Sequence, residues 1–229
     1  MFEAETQNAI VRLARTASIE PAALLAVAEI ESGGKAYAVV NNKREPMIRF
    51  EGHYFDRRLS GLQQAQARAA GLSSPKAGAI RNPNGQASRW AMLDRAAAIN
   101  RKAAYESVSW GIGQVMGAHW QWLGYASVDA LVDQCRESPA GQIAVMLRYI
   151  EKAGLASALN ALDWPTFARG YNGPQFAKSG YDKKLAAAFK RHKAACPGDP
   201  ATVEASSPQP RSWLGAIADW IKERLAHLG

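Results

Sequence analysis

The chain has 229 residues, 48% of them hydrophobic and 21% charged, and carries a formal net charge of +8. That composition is globular and long enough for one large domain, or one domain plus an appendage. No apolar run reaches the ~20 residues that span a bilayer, nothing near the N-terminus reads as a secretion signal, and the two cysteines and four histidines lack the spacing of a metal site or a disulfide scaffold.

Apolar residues recur at intervals of three and four, and alternating β-branched runs are scarce, so the chain is expected to be mainly α-helical. Helices are predicted over 3–16, 20–32, 60–70, 87–104, 109–117, 127–135, 138–152, 163–171 and 181–193. A small hairpin is predicted within 36–50 around Asn41-Asn42. Residues 71–86, rich in Gly, Ser, Pro and Asn, are expected to form a loop over one rim.

The second of these helices is the most informative. Pro21 suits its first turn, Ser18 is placed to cap it, and Gly33-Gly34 can end it. Glu31 therefore falls in the last turn, at the negative end of the dipole, with Leu24, Val27 and Ala28 beneath it on the same face. Dipole and desolvation both disfavour a carboxylate there, so its pKa is expected to rise. A carboxyl still protonated near neutral pH can protonate a leaving-group oxygen. The alternative is an ordinary solvated Glu at a fraying helix end. Glu29 lies about 200° around the helix from Glu31 and so faces elsewhere.

Residues 49–55 supply a second carboxylate, Glu51, beside His53, with surface ion pairing as the plain alternative. Residues 109–122 mix glycines with three tryptophans. Glycines admit close backbone approach, and flat indole faces stack on sugar or base rings. Trp120 and Trp122 are read as core, and Ser109 and Gln114 as groove positions. Tyr171-Asn172-Gly173 closes a helix, for which a C-cap is a sufficient local explanation.

Residues 196–211 are Pro/Ser-rich and read as a linker that ends a domain at 1–195. Beyond it, 212–229 form an amphipathic pattern with Trp213, Ile217, Trp220, Ile221 and Leu225 on one side, suited to docking on a partner surface or lying on a membrane. Residues 197–229 hold three cations and four acids, which leaves +9 on the preceding 196 residues. Such a domain is drawn to polyanions: nucleic acid, anionic lipid or bacterial wall polymers.

In order along the chain, Ala28-Glu-Ile-Glu-Ser-Gly-Gly34, Arg49-Phe-Glu-Gly-His-Tyr-Phe55, residues 109–120, Leu123-Gly-Tyr-Ala-Ser-Val128, Tyr171-Asn-Gly-Pro174 and Tyr181-Asp-Lys-Lys-Leu185 resemble the N-acetylmuramidase domain of phage endolysins, over about 19–190. That family is similar to goose-type lysozymes and soluble lytic transglycosylases. The resemblance implies an all-α, lysozyme-like fold with a peptidoglycan groove, to which the C-terminal amphipathic helix is appended. It implies cleavage of the β-1,4 bond between N-acetylmuramic acid and N-acetylglucosamine, with Glu31 as the acid and Glu51 as the second catalytic carboxylate. Glu106 and Asp94 stand in reserve. Ser109, Gln114, Tyr171, Asn172 and His53 are the expected substrate-binding positions. Gly113 stands where a larger residue is usual, which is expected to widen the groove floor.

No cofactor and no metal are expected. The expected partners are peptidoglycan glycan strands and no nucleic acid, with anionic membrane or lipopolysaccharide contact through 212–229; the protein is expected to be a monomer. It would be made in the bacterial host cytoplasm without a signal peptide and act in the periplasm or cell wall. Two other functions stay open: a lytic transglycosylase, in which Glu31 alone acts as acid and then base to leave 1,6-anhydromuramic ends, and a non-catalytic wall-binding protein.

Overall fold

A computed structural model describes residues 2–195. The expected linker at 196–211 and helix at 212–229 lie outside the described residues.

Helices α1 (Ala4–Thr16) and α2 (Pro21–Ser32) open the chain. The expected Ser18 cap is not formed. Ser18 sits at φ 52°, its N–H bonded to the Arg15 carbonyl, and Glu20 occupies the N-cap position without a side-chain capping bond. Pro21 does take the first turn, and Gly33 ends the helix in the left-handed conformation at φ 64°, which costs a glycine little. Strands β1 (Tyr37–Val40) and β2 (Lys43–Pro46) pair antiparallel around Asn41-Asn42, both at positive φ.

Strand β3 (Ile48–Phe50) leads into α3 (Gly52–Arg57), a short helix the periodicity does not reveal, and then α4 (Gly61–Ala69). The loop that follows is locked onto β3. The Asn82 side-chain amide accepts from Phe50 N–H (2.9 Å) and donates to its carbonyl (2.7 Å), and Gln86 does the same at Ile48 (3.0 and 3.2 Å). Two side chains thus take the place of a neighbouring strand along the β3 edge. Helix α5 (Gln86–Glu106) is interrupted at Asn100, whose extended backbone (φ −157°, ψ 103°) lets its side chain cap the Ala103 N–H at 3.0 Å.

The expected helix at 109–117 is instead a hairpin of β4 (Val108–Trp110) and β5 (Val115–Met116), which completes the order β3-β4-β5. Gly111 and Gln114 both adopt positive φ there, and Val108 and Trp110 are fully buried, so turn chemistry overrides helical spacing. A 3-10 turn, Gly117–His119, then leads to α6 (Val128–Glu137) and α7 (Pro139–Lys152), each capped by a serine hydroxyl, Ser127 and Ser138. Helices α8 (Ala156–Asn160), α9 (Trp164–Asn172), α10 (Phe176–Ser179) and α11 (Tyr181–Ala195) complete a mainly α, lysozyme-like fold.

Buried side chains form two clusters. One joins α1, α2, α7, α9 and α11; the other joins β3, β4, α3, α5 and α6. They meet along α7, which sends Met146 and Leu147 into the first and Val145 into the second, while Tyr149 packs against both. Leu24, Leu25 and Val27 of α2 are buried almost completely, and at about 1.5–3 kcal/mol for each large side chain this burial fixes where the helix ends. Glu31 is thereby carried to the seam between the clusters.

Candidate active site

Glu31 rises from the last turn of α2 over fully buried Leu24, Val27 and Ala28. Burial is the main cause that pushes its pKa from 4.5 to about 7, and a hydrogen bond from the Tyr181 hydroxyl opposes it. Among the described residues no second carboxylate joins burial and Tyr181 as a cause of its shift. Glu29, two residues earlier, meets the opposite environment. Burial is the largest single cause and raises its pKa, but Arg191 (2.5 Å) and His192 (2.6 Å) together outweigh it and hold the group below the ordinary value. One acid is thus kept protonatable and its neighbour ionised.

Three phenols surround Glu31. Burial raises the pKa values of Tyr149, Tyr171 and Tyr181, and the negative charge of Glu31 adds to each. The Tyr171 hydroxyl donates to the Gly113 carbonyl at 2.7 Å, its ring stacks on Phe167 at 5.2 Å, and it meets Tyr149 edge-on at 5.2 Å. The aromatic series continues through His119 and Trp122, each within 5.7 Å of Tyr149. Trp122 is 44% exposed, so of the two tryptophans read as core this one faces solvent. Trp120 is half-buried and donates its indole N–H to Glu106 at 2.8 Å.

Glu51 precedes α3 in the N-cap position and extends the β3–β4 ladder through its N–H to the Ser107 carbonyl. Its carboxylate pairs with Arg49 at 2.9 Å and lies 3.6 Å from His53 Nδ1, a buried nitrogen without a hydrogen-bond partner among the described residues. His53 packs edge-on against Tyr54. The neighbouring Phe50 and Phe55 belong to the second cluster, and Tyr149 packs against both clusters.

Of the reserve carboxylates, Glu106 is occupied. Burial works upward on its pKa, but Lys102 (2.5 Å), Trp120 and Arg58 (3.1 Å) together hold it below the ordinary value. Asp94 is exposed on α5. Ser109 is a buried β4 residue whose hydroxyl contacts the Met116 sulfur at 3.2 Å. Gln114 is half-buried and spends its side-chain N–H groups on the carbonyls of Gly111 (2.9 Å) and Met47 (3.3 Å). Asn172 is exposed at the end of α9.

Gly113 does not widen the floor. A Cβ on it would come within 2.6 Å of the Met146 side chain and 3.1 Å of the Tyr171 hydroxyl, so the missing side chain chiefly makes room for Met146 and leaves Tyr171 in close approach. Gln142, buried on α7, ties the whole junction. It accepts from Ile112 N–H at 2.9 Å and donates to the carbonyls of Cys135 (3.0 Å) and Ala36 (3.2 Å). Gln142 does not stand out in the sequence, and Tyr181, though it opens the motif that runs to Leu185, shows no local sign of its bond to Glu31, since that pair spans 150 residues of chain.

A mainly helical fold that buries one protonatable carboxyl at the end of a core helix is lysozyme-like. The family model described as N-acetylmuramidase matches residues 20–193. A crystal structure of a Burkholderia AP3 phage endolysin is 34% identical, with a TM-score of 0.69 over 82% of this chain and 71% of that one. No curated protein matches. The chain belongs to the N-acetylmuramidase family.

Proposed function

We propose that this protein is a peptidoglycan-degrading endolysin that hydrolyses the β-1,4 bond from N-acetylmuramic acid to N-acetylglucosamine, with Glu31 as general acid. The observation that carries this is the Glu31 carboxyl, held near pKa 7 by burial at the end of α2. Its proton passes to the glycosidic oxygen as the C1–O bond breaks, and the ring carbon left behind takes on oxocarbenium character. Water then adds to that carbon. Glu51, paired with Arg49, accepts the water's proton in this scheme. His53, Tyr171, Asn172, Ser109 and Gln114 line or support the groove, the last two by fixing the hairpin that faces it.

The lone state of Glu31 favours a second reading. With tyrosines and no carboxylate acting on it, Glu31 fits a lytic transglycosylase equally well, as acid and then base, with the muramyl 6-hydroxyl replacing water. Mass spectrometry of digested sacculi separates the two: reducing muramic ends that have gained water support hydrolysis, and anhydromuramic ends contradict it. Glu31→Gln is expected to lower turnover by about 10²–10⁴-fold with the fold intact. Unchanged clearing by that variant would leave only a wall-binding role. The site of action is the cell wall or periplasm, after synthesis in the bacterial cytoplasm.

A further inference from the structure

A cavity of about 520 Å³ opens between the start of α1, the turn after α2 and the β1–β2 hairpin, apart from the carboxylates described above. Its walls include Phe2, Glu3, Lys35, Tyr37, Val39 and Arg44. The Arg44 guanidinium lies over the Tyr37 ring at 4.6 Å, which fixes its plane and leaves its N–H edge free. Among the described residues neither Lys35 nor Arg44 has an acidic partner within salt-bridge distance, whereas ten other ion pairs are formed along the chain. Val39 is 72% exposed, although it is a large apolar residue on a strand.

Two unpaired cations, one acid and apolar walls in a cavity of this size suit a small ligand of mixed character. Carboxylates would meet Lys35 and Arg44, an ammonium group would meet Glu3, and methyl groups would lie against Phe2 and Val39. A purely anionic phosphate ligand fits less well, because Glu3 and the apolar wall oppose it. Lys35 follows Glu31 by four residues, so the cavity rim lies within about 14 Å of the proposed acid along the chain.

We propose that this cavity binds the short stem peptide of peptidoglycan, whose free carboxylates, diamino-acid amine and alanine methyls have this chemistry, while the attached glycan occupies the groove at Glu31. The proposal rests on the muramidase function proposed above. It makes Lys35 and Arg44 determinants of preference for peptide-bearing over bare glycan.

The test compares wild type with the double variant Lys35→Gln, Arg44→Gln on two substrates: intact sacculi, and glycan strands stripped of peptide by an amidase. The double variant is expected to raise KM on peptide-bearing glycan by about tenfold and leave stripped glycan unaffected. Equal effects on both substrates, or none on either, would overturn the proposal. Titration of the wild-type protein with a free stem tetrapeptide, followed by NMR, checks the cavity without any turnover. Shifts at Phe2, Lys35, Tyr37 and Arg44 support it, even if glycan cleavage were absent, and no shifts overturn it. Inorganic phosphate, added in the same titration, should not compete; competition would assign the cavity to phosphate groups instead.

Discussion

Tyr181 donates its hydroxyl hydrogen to Glu31, and a donor of this kind favours the carboxylate over the acid. Tyr181→Phe removes that opposition and leaves burial alone, so the Glu31 pKa should move above about 7. The basic limb of the kcat–pH profile is expected to move up with it, and an unmoved limb would separate Tyr181 from the proton donor. Stability follows from the same group. The folded chain holds a proton on Glu31 between pH 4.5 and about 7 that the unfolded chain has released, so the protein loses stability as pH rises through this window. Glu31→Gln keeps an acceptor for Tyr181 and carries no charge. It is expected to be more stable than wild type at pH 8, by up to about 3 kcal/mol, with the difference gone below about pH 4.5. Denaturant melts at the two pH values measure this. The rise in pKa was legible in the sequence, because helix end, Gly33-Gly34 and the apolar face beneath Glu31 are all local. Tyr181 was not, because its role depends on α11 returning against α2.

At the scale of elements, the hairpin β4–β5 decides how α7 and α9 meet the sheet. Gly113 lets Tyr171 reach its carbonyl and lets Met146 pack against it. Gly113→Ala is expected to cost about 1–3 kcal/mol by overpacking and to lower activity through displacement of Tyr171; an unchanged melt would show that Met146 yields freely. Asn82→Ala removes the amide that pairs with both polar groups of Phe50, and is expected to cost a similar amount, about 1–3 kcal/mol. Long helices with one apolar stripe, such as α1, α6, α7 and α9, were readable because their periodicity is local. The hairpin was misread as a helix, since Ser109 to Gly117 is too short and glycine-rich for periodicity to decide. What decides it is Gln142, thirty residues further on, which accepts from Ile112. The same limit hid the kink at Asn100 and the exposure of Trp122, both set by packing between distant segments.

For the whole molecule, the two clusters meet along α7, with α2, which carries Glu31, packed in the first and β3 and α3, which flank Glu51, in the second. We propose that residues 1–195 form the complete catalytic domain. A chain ended at 195 is then expected to melt at the same temperature as the full chain and to digest purified sacculi at a similar rate; a lower melting temperature would mean that 196–229 dock on it. The excess of basic residues in this part should draw it to anionic wall polymers, so KM on sacculi is expected to rise with salt while kcat stays level. The proposed catalytic role rests on one property, a carboxyl kept protonated to neutral pH. The direct test is a titration of the Glu31 side-chain carboxyl carbon by NMR, assigned by its loss in Glu31→Gln. A midpoint near 7 is the expected result, and a midpoint near the ordinary 4.5 would contradict the account of Glu31 as the buried proton donor.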